Sequence, residues 1–324
     1  MQIESSYRSP FWLRNCHVQT VLGSWIGRNA GVSTKRQRIE LTDGDFLDID
    51  WLNHDSDPRQ PTLMVLHGLE GSIESSYIQS ILKHYLKTSW RIGVMHFRGC
   101  SGVPNRLLRS YHSGDTEDLD YILNRLMHQG PLFVVGFSLG GNVLLKYLGE
   151  RGDDSPIDAA MAVSVPFNLD DAARRLDYGL SRAYRWYLLR DLKQKTRQKK
   201  AQFPDYDWIS EEHLAKISSF VDFDHLVTAP IHGFDSGADY YEQCSSQQFI
   251  NRIRKPTLIL HAKDDPFMTE ESIPGEDQLS DQVILEVTGS GGHVGFIRKD
   301  MTRYLDDRIP EWFNQQFDAY DKPS

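Results

Sequence analysis

A serine, a pair of carboxylates and a histidine each follow a short apolar run in this chain, in an order suited to acyl transfer. Gly136-Phe137-Ser138-Leu139-Gly140 spells G-x-S-x-G. The preceding run, Pro131-Leu132-Phe133-Val134-Val135, reads as a buried strand, and Gly141 to Leu148 carries apolar residues at helical spacing. A strand that turns sharply into a helix exposes a serine oxygen at the turn, and small neighbours let the backbone fold tightly enough. Downstream, Thr257 to Leu260 runs into His261-Ala262-Lys263-Asp264-Asp265-Pro266, and Val283 to Val287 runs into Thr288-Gly289-Ser290-Gly291-Gly292-His293. A serine nucleophile needs a base to take its proton and a carboxylate to orient that base. Ser138 and His293 are the expected nucleophile and base. Asp264 and Asp265 both sit where the orienting acid is needed.

The negative charge that develops on an acyl oxygen requires backbone N–H donors already in place, worth roughly 2.7 to 4 kcal/mol each. Leu139, directly after the serine, is one expected donor. The loop His67-Gly68-Leu69-Glu70-Gly71 follows an earlier strand, and its glycines permit close backbone approach, so Leu69 is the second. His67 is expected to brace that loop by hydrogen bonding, and Glu70 to be a loop carboxylate without a direct chemical role.

The elements that must hold these groups follow from the apolar pattern. Arg36 to Leu41 and Phe46 to Leu52 form an antiparallel hairpin about Thr42-Asp43-Gly44-Asp45. Asp43, Asp45, Asp48 and Asp50 lack calcium-loop spacing and alternate as a solvated strand face would. From Thr62 onward, unalternating apolar runs (Leu63 to Leu66, Ile92 to Phe97, Leu132 to Phe137, Ile157 to Val165, Thr257 to Leu260, Val283 to Val287) are joined by helical stretches, the signature of a parallel sheet buried on both faces. Serine, acid and histidine would then share its carboxyl edge. About ninety residues of helical sequence, 166–255, interrupt the rhythm and read as a helical cap. Met301 to Phe317 reads as a last amphipathic helix.

Composition sets the outer bounds. The 324 residues suffice for one α/β domain with a cap insertion and an N-terminal leader, 1–35. A net charge of -9 argues against nucleic-acid binding and leaves at most peripheral membrane contact. Cys16, Cys100 and Cys244 give neither a disulfide framework nor zinc spacing, and no secretory signal or bilayer-spanning run is found, so a cytoplasmic location is expected. Walker, dinucleotide and zinc-protease motifs are absent, and neither a cofactor nor a metal is expected. Nothing in the sequence sets an oligomeric state.

With these residues assembled, the chain resembles the α/β-hydrolase superfamily, and within it the family of bacterial YheT-like esterases, plant EMB8-like proteins and the animal ABHD1/2/3 group. The resemblance runs from Pro10-Phe11-Trp12 and His17-Val18-Gln19-Thr20 through Phe97-Arg98-Gly99-Cys100-Ser101-Gly102, Tyr111-His112-Ser113-Gly114 and Asp264-Asp265-Pro266-Phe267 to Gly291-Gly292-His293-Val294-Gly295-Phe296. It implies a mostly parallel central sheet flanked by helices. In similar loops the acid directly precedes an apolar pair, as Asp265 precedes Pro266-Phe267, which selects Asp265 over Asp264. The resemblance further implies a cofactor-free carboxylesterase acting on small or lipid-like acyl esters through Ser138, Asp265 and His293. A thioesterase or amidase with the same triad, or a binding protein without turnover, are the alternatives. None of the twelve histidines has Asp five positions later, so the related acyltransferase motif is missing, and Ser138 disfavours the Asp-nucleophile chemistries.

Three secondary expectations follow. The leader, whose His17, Gln19 and Thr20 have the active site or a membrane as alternative neighbours, should pack on the domain through Phe11, Trp12, Leu13, Val18, Val21 and Trp25, with a shallow interfacial anchor as the other reading. Lys193, Lys195, Arg197, Lys199 and Lys200 should form a solvated helix face, with steering of anionic substrates or contact with headgroups as the alternative. Tyr184, Trp186 and Tyr187 should lie in the cap core.

Overall fold

The computed structural model describes residues 1–27, 31–126 and 129–321. Among the described residues nine strands form one sheet: β1 (Gln2–Glu4), β2 (Lys35–Glu40), β3 (Phe46–Leu52), β4 (Thr62–Leu66), β5 (Arg91–Met95), β6 (Leu132–Phe137), β7 (Ala159–Val163), β8 (Thr257–Ala262) and β9 (Val283–Thr288). Their order is β1-β9-β8-β7-β6-β4-β5-β3-β2. Pairing is parallel except at β2–β3 and β3–β5. The chain steps from β4 to β5 in one direction and resumes with β6 on the other side of β4. Such a switch point opens a crevice at the carboxyl ends of the strands, where α/β folds bind ligands.

Apolar residues without alternation are what a sheet covered on both faces requires. Met64, Leu66, Leu132 and Val134 face α3 (Thr116–Arg125) and α4 (Leu139–Arg151), whereas Leu63, Val65, Phe133 and Val135 join a second core with α2 (Ser76–Tyr85) and the final helix Leu305–Tyr320. That last helix starts later than its amphipathic pattern suggests, because an isolated antiparallel bridge, Ile297 to Arg303, occupies the chain before it. Strand β1 carries no apolar pattern and was invisible to periodicity; its pairing with β9 alone defines it.

Helices α5 (Leu169–Arg175), α6 (Ser181–Gln202), α7 (Glu211–Lys216), α8 (Phe220–Phe223), α9 (Ala229–His232) and α10 (Gly237–Cys244) lie between β7 and β8. They enclose a separate apolar cluster including Leu176, Leu214, Phe220 and Tyr241.

Two expectations about charge are corrected. Asp45, Asp48 and Asp50 are buried rather than solvated. Asp50 meets Arg36 and His96 at 2.7 Å each, Asp48 meets Arg38 at 2.8 Å, and Asp45 accepts from Asn105 at 2.7 Å and Arg98 at 3.1 Å. Burial alone would raise the Asp50 carboxyl, but the bonds from Arg36 and His96 outweigh it and hold the group well below its usual range. The alternation seen in sequence marks a strand face covered by arginines and the 98–106 loop. The basic run of α6 is likewise engaged: Lys195 pairs with Glu70 at 2.9 Å, Lys193 donates to the Ile217 carbonyl at 2.5 Å, and Lys199 donates to the carbonyls of Asn105 and Leu107 at 2.8 and 2.5 Å. Burial lowers the Lys199 amine to about 8. Lys195 and Lys199 tie the helical insertion to the loops over the sheet.

Candidate active site

Strand β6 ends at Phe137 and α4 begins at Leu139, so Ser138 alone makes the turn, at φ 52°. A β-carbon at Gly136 would lie 2.5 Å from the Gly140 carbonyl, and one at Gly140 would lie 2.5 Å from the His67 carbonyl. The two motif glycines therefore have a steric cause. The Ser138 N–H donates to the Val163 carbonyl at 2.9 Å, anchoring the turn to β7.

The loops after β8 and β9 bring the other groups to this turn. The Ser138 hydroxyl lies 3.0 Å from His293 Nε2, and His293 Nδ1 lies 2.8 Å from Asp265 Oδ2. Asp265 is buried, and its second oxygen accepts from the Phe267 N–H at 2.8 Å. Phe267 stacks on the His293 ring, with centroids 4.1 Å apart and planes 15° apart. Asp264 is turned elsewhere: its Oδ1 accepts from the N–H groups of Gly291 and Gly292 at 2.8 and 3.0 Å, capping the loop that carries His293. Burial raises its carboxyl above the ordinary value despite those two bonds.

Strand β4 runs into the 67–71 loop. His67 is fully buried; its Nδ1 donates to the Gly68 carbonyl at 2.7 Å and its Nε2 accepts from the Phe97 N–H at 3.2 Å. Burial lowers its imidazole to about 3, which keeps the ring neutral and the tautomer fixed. Three N–H groups of the loop are occupied: Gly68 donates to Tyr77 Oη, Glu70 to Tyr111 Oη and Gly71 to the Gly68 carbonyl. The N–H of Leu69 has no acceptor among the described residues, nor does that of Leu139 at the first turn of α4. A β-carbon on Gly68 would stand 3.2 Å from Ser138 Cβ, so this loop passes directly beside the serine.

Polar residues of the leader complete the site, the approach kept open for Gln19 and Thr20 beside the expected apolar packing. In α1 (Cys16–Trp25), Thr20 Oγ1 accepts from the His293 N–H at 2.9 Å and in turn donates to the Cys16 carbonyl at 2.8 Å. Gln19 is fully buried; its Oε1 accepts from the Ile297 N–H at 2.7 Å while its amide donates to Tyr7 Oη and Ser9 Oγ at 2.8 Å each. In the sequence, the polar residues His17, Gln19 and Thr20 within the otherwise apolar leader are the signal of this. By contrast, Phe11, Trp12, Val18, Val21 and Trp25 are exposed and only Leu13 is buried, the reverse of the expected packing. Trp186 and Tyr187 are exposed as well; Tyr184 alone turns inward, stacking between His17 and Phe267.

A cavity of about 410 Å³ opens beside Ser138. Leu69, Leu139, Leu169, Leu176, Leu192, Phe223 and Met268 make it mainly apolar, and Glu70, Lys195 and Asp224 add polar points. Burial raises the Asp224 carboxyl to about 6, against the opposing bonds from Thr228 and Tyr241.

A family model described as the alpha/beta hydrolase fold matches residues 61–300, which takes in every one of these groups outside the leader. The chain belongs to the α/β-hydrolase fold family. As a member of it, this hydrolase is similar along most of its length to the candidate esterase YheT of Escherichia coli, 44% identical over 312 residues, 94% of this chain and 92% of that one. It is 34% identical to the monoacylglycerol lipase of Saccharomyces cerevisiae over 255 residues, 75% of this chain and 56% of the yeast protein. The Pyrococcus furiosus esterase Pf2001 shares the fold at 18% identity, with a TM-score of 0.56 over 89% of this chain and 94% of the other.

Proposed function

We propose that this hydrolase is a serine carboxylesterase acting on acyl esters, including lipid-like ones, with Ser138, His293 and Asp265 as its triad. One observation carries the reading: the Ser138–His293–Asp265 line of hydrogen bonds, 3.0 and 2.8 Å long. The unengaged N–H groups of Leu69 and Leu139 beside it support the same reading.

In this mechanism His293 Nε2 takes the Ser138 proton as Oγ bonds to the acyl carbon, and the carbonyl electron pair moves onto oxygen. Asp265 stabilises the imidazolium and holds its tautomer. The Leu69 and Leu139 N–H groups receive the oxyanion. Collapse breaks the ester bond, the imidazolium gives its proton to the departing alcohol, and the acyl group stays on Ser138. Water, activated by His293, then releases the acid. The helical insertion acts as a cap over this chemistry, its apolar wall taking the acyl chain. The yeast relative's name, monoacylglycerol lipase, supports an ester of this type.

The test is covalent labelling with a fluorophosphonate together with turnover of p-nitrophenyl butyrate. Labelling at Ser138 and a fall of about 10⁶ in kcat for Ser138→Ala are expected. An unlabelled serine, or wild-type turnover in the variant, would refute the triad.

A further inference from the structure

The exposed apolar side chains are not scattered over the surface. Of the sixteen large ones among the described residues, nine fall within 11–25 and 178–190. These two segments touch: His17 Nδ1 lies 3.2 Å from Tyr184 Oη, and the two rings stack at 5.7 Å. Helical spacing sets Val18, Val21 and Trp25 on one face of α1 beside His17, and Leu180 and Tyr187 beside Tyr184 on the adjoining helix. Phe11 is 82% exposed, Trp25 63% and Trp186 66%. An apolar strip of this kind on a soluble surface marks an interaction site.

The charge of the strip says what covers it. The chain holds 45 acidic residues, yet segments 11–25 and 178–190 contain no Asp or Glu and four arginines. Arg185 and Arg190 lean on Asp177 and Asp191 at the border. Arg14 and Arg182 are exposed and have no acidic partner among the described residues. The Arg190 guanidinium lies 5.6 and 5.0 Å from the ring centroids of Trp186 and Tyr187. Tryptophan and tyrosine interleaved with arginine suit the boundary between anionic headgroups and acyl chains, where rings are half-immersed and cations meet phosphate. The patch also adjoins the candidate active site, since Tyr184 packs on Phe267 and Phe267 on His293.

We propose that the leader and the start of α6 together form a docking surface for an anionic phospholipid bilayer, which the protein binds peripherally. Contact at this face sets the Tyr184 and Phe267 side of the active site against the lipid.

Flotation with vesicles of phosphatidylcholine alone, or with about one third phosphatidylglycerol, tests the surface directly. Wild-type protein should float with the anionic vesicles and be released by salt. Binding should weaken about tenfold or more in Phe11→Ser/Trp12→Ser/Trp25→Ser/Trp186→Ser, while turnover of soluble p-nitrophenyl butyrate stays as in the wild type. Arg14→Glu/Arg182→Glu, which leaves the apolar residues in place, should also weaken binding and serves if the first variant does not fold. No flotation of wild-type protein, or equal flotation of the folded variants, would overturn the proposal. So would sedimentation showing that the patch instead buries itself in a dimer. Flotation needs no turnover, so Ser138→Ala protein should behave as wild type, and the result stands apart from the reading of the triad.

Discussion

The backbone N–H of His293 donates to the hydroxyl of Thr20 across 273 positions of sequence. The imidazole is thereby oriented from two sides, by Asp265 through its ring and by the leader through its backbone. Thr20→Val keeps the shape of the side chain and removes the acceptor. Because small misplacement of a reacting group is costly, kcat should fall by about ten- to a hundredfold with KM little changed. Thr20→Ser should restore most of the rate. Equal kcat in wild type and Thr20→Val would show that the leader only packs.

The adjacent carboxylates Asp264 and Asp265 should separate cleanly in kinetics. Asp265→Asn keeps the size of the side chain but favours the wrong imidazole tautomer, so kcat should drop by about 10⁴. Asp264→Ala frees the N–H groups of Gly291 and Gly292, and should reduce stability by about 1 to 3 kcal/mol with a smaller loss of rate. Thermal melts and kcat for both variants decide it: a larger rate loss at 264 than at 265 would reverse their roles.

Lys195 reaches from the helical insertion to Glu70, whose neighbour Leu69 is a proposed oxyanion donor. Glu70 also accepts from Tyr111 Oη at 2.8 Å, and its own backbone sits at φ 55°. Lys195→Met leaves that carboxylate uncompensated and loosens the loop, so kcat should fall about tenfold. Glu70→Gln in the same chain should recover part of the loss. The lysine keeps contact with solvent, so a double-mutant cycle should return a coupling of about 1 kcal/mol. A coupling of zero would mean the insertion does not steady the loop.

What the sequence made legible follows a physical division. Strand β6 matches its apolar run residue for residue, because a run buried on both faces is a dense local signal, and β3 matches the hairpin strand read from alternation and turn chemistry. The serine, aspartate and histidine were legible because each follows such a strand. Strand β1 was not, since Gln2, Ile3 and Glu4 become a strand only through β9. Local pattern also misjudged Asp48, Asp50 and Lys199, whose partners lie on other elements. The leader erred in the opposite sense: Trp12 and Trp25 suggested burial by type, whereas Gln19 and Thr20 hold it to the body by hydrogen bonds. Hydrophobicity alone does not tell a surface that packs inward from one that faces outward.

Stability should fall on acidification through a small set of buried imidazoles. Burial lowers His67 to about 3, and His232 and His261 to about 4 each. His261 packs near Phe167, and neither of its ring nitrogens has a hydrogen-bond partner among the described residues. In the unfolded chain these groups titrate near 6.5, so below that pH the unfolded state binds more protons than the folded one. Stability is therefore fully present above about pH 6.5 and declines as pH falls toward the folded values, by about 1.4 kcal/mol per pH unit for each histidine. Asp115 and Asp224, raised by burial, act in the opposite sense because they bind protons more readily when folded. The net slope thus mixes both kinds of group, and a difference between two proteins isolates one. His261→Leu should lose less stability than wild type between pH 6.5 and 4.5 in urea titrations, by about one histidine's share of the slope. Parallel curves for the two proteins would mean that His261 is charged when folded.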